Sequence, residues 1–296
     1  MRNGKTMLAK RIPTILPPLM LEGSLETTRV YSARGLLEAG QSLLAVRPVR
    51  MPHHSTSPAA LIGGGTIPQP GEVSLAHHGV LFLDEFPEFT RSTLEMIRQP
   101  LEDGSVTIPR VHSTLRFPAS IMLVAAMNPC PCGYLTDPKR HCKCTPNAIE
   151  RYMGRISGPL IDRIDIHVEV PPVPWRQLRG DAEGLGSTQM REQVVSARAI
   201  QRRRFARGRG TTTNATMSSR QVRRYCKLDG ACEALLKQAM TELGLSARAH
   251  DKVLRISRTI ADMEGAQDIE SHHLAEAICA RGILAAAFWN PIRQAA

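Results

Sequence analysis

The stretch that decides the fold is Gly79–Phe89, "GVLFLDEFPEF". Val80 to Leu83 are four apolar residues in a row with no polar alternation. That is the pattern of a strand covered on both faces, as in a parallel sheet packed between helices. The run ends on Asp84-Glu85, two adjacent carboxylates at the strand's carboxyl end. Open α/β sheets bind their ligands at that end. Downstream, "IMLVAAMNPC" (121–130) repeats the arrangement. It reads as a second uninterrupted buried strand, this time ending in Asn128.

In a nucleoside triphosphatase the first acid of such a pair holds Mg²⁺ and the second polarises the attacking water. Asp84 and Glu85 fit those roles, and Asn128 can orient the same water. Near the start stands "GKT", Gly4-Lys5-Thr6, ahead of a helical pattern "KTMLAKRIPTIL". These residues match the second half of a phosphate-binding loop, G-x-x-x-x-G-K-[ST]. Lys5 would reach the β- and γ-phosphates of ATP, and Thr6 would ligate Mg²⁺. Three residues alone decide nothing; two strand ends bearing the complementary groups make the match informative.

Between and after these segments the reading is alternating α/β. "SLETTRVYSARGLL" (24–37) reads as a helix. Residues 47–79 form a Pro-, Gly- and His-rich segment too long for a passive connection. "RSTLEMIRQPLEDG" reads as a helix closed at Gly104, and "SVTIPRVHSTLRFPAS" as a hairpin turning near His112-Ser113. Beyond Pro171-Pro172 helices are expected over 188–206, 219–225, 230–243, 246–264 and 270–285. The resulting division is an α/β nucleotide-binding core over 1–171, a helix and basic linker over 172–218, and a helical lid over 219–296.

Composition narrows the class. The chain has 296 residues, 42% of them apolar and 22% charged, and carries a net charge of +11. No apolar run reaches the roughly 18–20 residues that span a bilayer. No signal-like segment opens the chain, so a cytoplasmic location without membrane contact is expected. The charge is concentrated in residues 198–227, which hold ten Lys or Arg and no acid. Such a block favours a polyanionic partner, DNA or RNA, and is also what a solvated helix end running into a linker looks like.

Of seven cysteines, four cluster in "NPCPCGYLTDPKRHCKC": Cys130, Cys132, Cys142 and Cys144. Two Cys-x-Cys pairs can present four thiolates to one tetrahedral Zn²⁺, or can be reduced thiols on a surface loop. Cys226, Cys232 and Cys279 fall in helical patterns and read as packing residues.

Several long stretches together carry a resemblance: "RPVRMPHHSTSPAALIGGG", "PQPGEVSLAHHGVLFLDEFPEF", "AAMNPCPCGY", "GRISGPLIDRIDIHVEV" and "SARAHDKVLRISRTIADMEG". The chain resembles the ComM/YifB-type, magnesium-chelatase-like AAA+ ATPases of bacteria over residues 4–280. The resemblance implies a P-loop AAA+ parallel-sheet core followed by a small all-helical lid, working as a ring, usually a hexamer. It implies ATP-driven remodelling of single-stranded or branched DNA, a helicase-like activity; branch migration in natural transformation is the role associated with ComM. By position, Gly4, Lys5 and Thr6 become the Walker A remnant, Asp84 and Glu85 the Walker B pair, and Asn128 the first sensor. Arg163 becomes the arginine finger and Arg248 the second sensor. Residues 63–74 become the helix-2 insert, and the 106–117 hairpin a pore element whose Arg110 and Arg116 contact DNA phosphates.

The chain departs from that pattern at its start, where the first core strand and the first loop glycine would lie before residue 1. Taken at face value, that predicts weak Mg-ATP binding and little hydrolysis by the isolated chain; micromolar affinity in isothermal titration would contradict it. Two other functions remain open: a magnesium-chelatase subunit inserting metal into a porphyrin, and a zinc-containing DNA-binding module with an inactive ATPase.

Overall fold

The computed structural model describes residues 4–109, 114–137, 139–170, 184–206 and 212–281. The chain divides into two compact units. The first comprises residues 1–13 and 18–163, the second 14–17 and 164–296.

The first unit alternates helices and strands. Helices α1 (Lys5–Ile15) and α2 (Leu21–Ala33) precede strand β1 (Val49–Arg50). Then come α3 (Pro58–Ile62), the short antiparallel pair β2 (Gly63–Gly64) and β3 (Gln69–Pro70), and α4 (Glu72–Leu75). Strand β4 (Val80–Leu83) leads through a short 3-10 turn into α5 (Arg91–Asp103). The hairpin β5 (Ser105–Pro109) and β6 (Thr114–Pro118) is followed by β7 (Met122–Ala125), α6 (Pro146–Met153) and α7 (Gly158–Ile161).

Three strands form a parallel sheet in the order β1-β4-β7. Val80 pairs with Val49 on one side and with Met122 on the other, and the register runs on to Leu83 opposite Ala125. All four residues of β4 are buried, as an apolar strand with neighbours on both sides must be. Gly79 sets its entry: a Cβ there would stand 2.0 Å from the Pro48 carbonyl oxygen, which accepts the Val80 amide. A side chain at 79 would drive the two parallel strands apart.

The expectation of a second fully buried strand needs correcting. In β7, Met122 is 41% exposed and Leu123, Val124 and Ala125 are half-buried. The reason is position: among the described residues, β7 is a margin of the sheet. An apolar run on a margin cannot be told by pattern alone from one in the middle. Helix α2 begins and ends earlier than its sequence pattern implied, at Leu21 and Ala33.

Local chemistry explains the remaining bounds. Thr90 caps α5 by accepting the Thr93 amide, and Gly104 closes it in the left-handed conformation that glycine adopts freely. Arg50 of β1 forks onto Glu72 of α4 with bonds of 2.6 and 2.7 Å, which locks the strand to the segment leading into β4.

The second unit is helical in its described part: Ser187–Phe205, Ser219–Tyr225, Gly230–Glu242, Ala247–Glu264 and 271–281. Phe205, Met217, Val222, Leu236, Val253 and Leu274 fill its core. Among the described residues, no helix is long and apolar enough to cross a membrane.

Candidate functional site

Asp84 and Glu85 directly follow β4, and Asn128 follows the end of β7, so the parallel pairing of the two strands brings these groups to one edge of the sheet. Helix α1 supplies the rest. Lys5 Nζ donates to the Met127 carbonyl at 2.7 Å and to Asn128 Oδ1 at 3.2 Å. Thr6 Oγ1 donates to Asp84 Oδ2 at 2.7 Å, while Asp84 Oδ1 accepts the Glu85 amide at 2.9 Å. Gly4, with φ of 70°, starts the helix, its carbonyl accepting the Leu8 amide. Lys5, Thr6, Asp84 and Asn128 therefore meet at one place, although 122 residues separate Lys5 from Met127.

Glu85 has φ of 52°, an unusual conformation for a residue with a side chain. The buried Phe86 and Phe89 on the following turn hold it there. Its carboxylate is turned toward His54, whose Nδ1 lies 3.2 Å from Glu85 Oε2. His54 also stacks on His53 and meets Phe89 edge-on. These histidines, Met51, Pro52, Phe82, Asp84 and Glu85 line a cavity of about 190 Å3. The sequence reading missed His54. Its only signal was the length of the 47–79 segment.

A paired hydroxyl and carboxylate, both hard oxygen donors, suit Mg²⁺. A primary ammonium beside them suits phosphate oxygens. The residues present fit a magnesium–triphosphate ligand.

The other expected site residues are more scattered. Arg163 pairs with Glu102 of α5 and donates to the Pro159 carbonyl at 2.6 Å, its side chain 11% exposed. Arg116 of β6 is exposed and bonds Ser105 Oγ at 2.8 Å. Arg110 lies outside the described residues. Arg248 is exposed in the first turn of Ala247–Glu264, in the second unit.

The basic block is only partly available to a partner. Arg204 is bound to Asp262, 58 residues away, through both terminal guanidinium nitrogens at 2.6 and 2.5 Å. Asp262 also takes Arg258 Nε at 3.1 Å and Asn214 Nδ2 at 2.8 Å. Arg203, Arg220 and Arg224 remain on the rim of a groove of about 400 Å3, all three exposed.

Cys130, Cys132, Cys142 and Cys144 come together directly after Asn128, each a free thiol. A second polar cluster, Glu26 with His77 and His78, is of another kind. His77 Nδ1 accepts the Ser120 amide at 3.0 Å, so its proton is on Nε2, donated to Glu26 at 3.2 Å. Burial pushes His77 down to about 4, which keeps this ring neutral. It is a structural tie between α2 and the strand ends.

Comparison with known proteins decides the family. A model described as magnesium chelatase, subunit ChlI, matches residues 2–178, and one for the C-terminal part of the same subunit matches 184–281. The chain belongs to the magnesium chelatase subunit ChlI family. Within this magnesium-chelatase-like group it is 45% identical to the competence protein ComM of Haemophilus influenzae, over 95% of this chain and 54% of that protein. It is 42% identical to YifB of Salmonella typhimurium and to YifB of Escherichia coli, again over 95% of this chain and 54% of theirs. The chain thus spans about half the length of the curated relatives it matches.

Proposed function

We propose that the chain is the motor part of an ATPase that remodels DNA. The observation that carries the reading is the meeting of Lys5, Thr6, Asp84 and Asn128 at the carboxyl ends of two parallel strands. Lys5 draws the β- and γ-phosphates of ATP to the start of α1. Thr6 and Asp84 would hold Mg²⁺, which when bound neutralises charge on the phosphates. Glu85 polarises the attacking water and Asn128 orients it, leaving catalysis to positioning and electrostatics. Arg163 acts as a finger toward ATP held by a neighbouring copy, in a ring of six, once it releases Glu102. Arg248 serves as the second sensor from the helical lid.

DNA is the favoured partner because exposed arginines at 203, 220 and 224 border one groove, and because the relative in Haemophilus influenzae is named for competence. Arg110 and Arg116 would add phosphate contacts without reading sequence. A chain of this kind works in the cytoplasm, which keeps thiols reduced. The family's name favours a second reading, a subunit that drives metal insertion into a porphyrin.

ATP hydrolysis measured with and without single-stranded or branched DNA separates the two. Stimulation by DNA, lost in Glu85→Gln, is the expected result. Stimulation only by a porphyrin-binding subunit favours the second reading. DNA binding with a steep salt dependence, indifferent to ATP and to Glu85→Gln, would leave a DNA-binding module with no working motor.

A further inference from the structure

The four-cysteine loop has no part in nucleotide chemistry as described, yet it begins two residues after Asn128. The Sγ atoms of Cys130, Cys132 and Cys142 form a triangle with sides of 3.4, 3.5 and 3.6 Å, and Cys144 Sγ lies within 4.8 Å of all three. Four sulfurs bound to one zinc at about 2.3 Å stand about 3.8 Å apart at tetrahedral corners. A disulfide would bring two of them to about 2.0 Å. The group is thus too open for a disulfide and too tight to enclose an iron–sulfur cluster. An all-sulfur donor set in this spacing selects zinc over the harder magnesium.

The amides of Tyr134 and Lys143 point at Cys132 Sγ, and that of Cys144 at Cys142 Sγ. Gly133 makes the intervening turn with φ of 80°, and a Cβ there would lie 3.7 Å from the Asn128 amide group. Tyr152, buried on α6, hydrogen-bonds the Asn128 backbone. Asn128 is thus packed against the very turn that the cysteines shape.

We propose that Cys130, Cys132, Cys142 and Cys144 hold one zinc ion, and that this ion fixes the end of β7 where Asn128 and the Met127 carbonyl meet Lys5. The second half rests on the ATPase reading for its consequence; the zinc site stands without it. The ion is structural: four protein ligands fill its tetrahedral shell and leave no open position for a reacting group. Its effect on the motor is to keep Asn128 aimed.

The test begins with elemental analysis of the full chain purified under reducing conditions. About one zinc per chain is expected. It should be lost in Cys142→Ser and in Cys144→Ser, and kept in Cys279→Ser, whose cysteine is exposed on the last described helix. Cobalt supplied in place of zinc should give the intense visible bands of a tetrahedral thiolate site. A metal-free native protein, or full zinc in Cys142→Ser, overturns the site. Hydrogen exchange then tests the coupling: peptides covering 122–134 should exchange faster once zinc is removed, and unchanged exchange there overturns it. Zinc present in a chain whose Lys5 never meets ATP would remove the motor and leave the metal site intact.

Discussion

Asp84 and Asp262 are both aspartates that accept hydrogen bonds from distant parts of the chain, and they sit in opposite surroundings. Asp84 ends a buried strand in the first unit, partly open to solvent, with a hydroxyl and one amide for partners. Asp262 is fully buried in the helical unit, enclosed by two guanidiniums and an amide. A buried charge with every position taken holds a fold together, and removing one member leaves the others stranded. A half-exposed carboxylate with room beside it contributes little to folding and is available to a ligand. Sequence shows the same residue type in both places; burial and completeness of pairing tell them apart.

The largest effect should fall on the closed cluster. Asp262→Ala is expected to cost about 3–5 kcal/mol in urea unfolding, because it leaves the buried Arg258 and the partly buried Arg204 without an acid. Asp84→Ala should cost far less in the same experiment. Equal losses would erase the distinction.

Next comes the open site. Glu85→Gln should slow ATP hydrolysis about a hundredfold while leaving the urea midpoint in place. A variant that hydrolyses ATP normally would remove Glu85 from the chemistry.

A third effect is set by pH. His77 is lowered to about 4 chiefly by burial, against an ordinary value of 6.5. The unfolded chain therefore binds a proton at that ring more readily than the folded one, and stability should fall as pH drops from 6.5 towards 4. Glu26, lowered mainly by its bond to His78, adds to the loss further down, below its ordinary 4.5. The His77 contribution is roughly 1–3 kcal/mol and should vanish in His77→Gln. A pH profile shared by the variant and the parent would assign the loss elsewhere.

The smallest change expected is at His54. Its contact with Glu85 is half-exposed, so His54→Ala should alter hydrolysis only about threefold, with unfolding unaffected. A loss as large as that of Glu85→Gln would make His54 a partner in the reaction.

Which of these features sequence could disclose follows from how far apart their parts lie. Val80 to Leu83 announce a buried strand through an unbroken apolar run, and the polar residues after it mark its carboxyl end. The same reasoning overstated the burial of β7, because a run of apolar residues carries no information about how many strands flank it. Cysteine spacing disclosed the thiol cluster, as it is local in the chain. The Arg204–Asp262 pair was invisible: its partners are 58 residues apart, and only the packing of helices Ser187–Phe205 and Ala247–Glu264 brings them together. His54 escaped for another reason. It stands in a segment without periodicity, where nothing in the sequence says which way a side chain faces.

The claim on which the rest depends is that Lys5 stands against the phosphates of a bound triphosphate. An acyl-phosphate derivative of ATP transfers its label to the lysine nearest the phosphates, and mass spectrometry identifies that lysine. Labelling of Lys5 in preference to Lys10, suppressed by excess Mg-ATP and lost in Asp84→Ala, is the expected result. Equal labelling of both lysines, or labelling of Lys5 that excess Mg-ATP does not reduce, would contradict it.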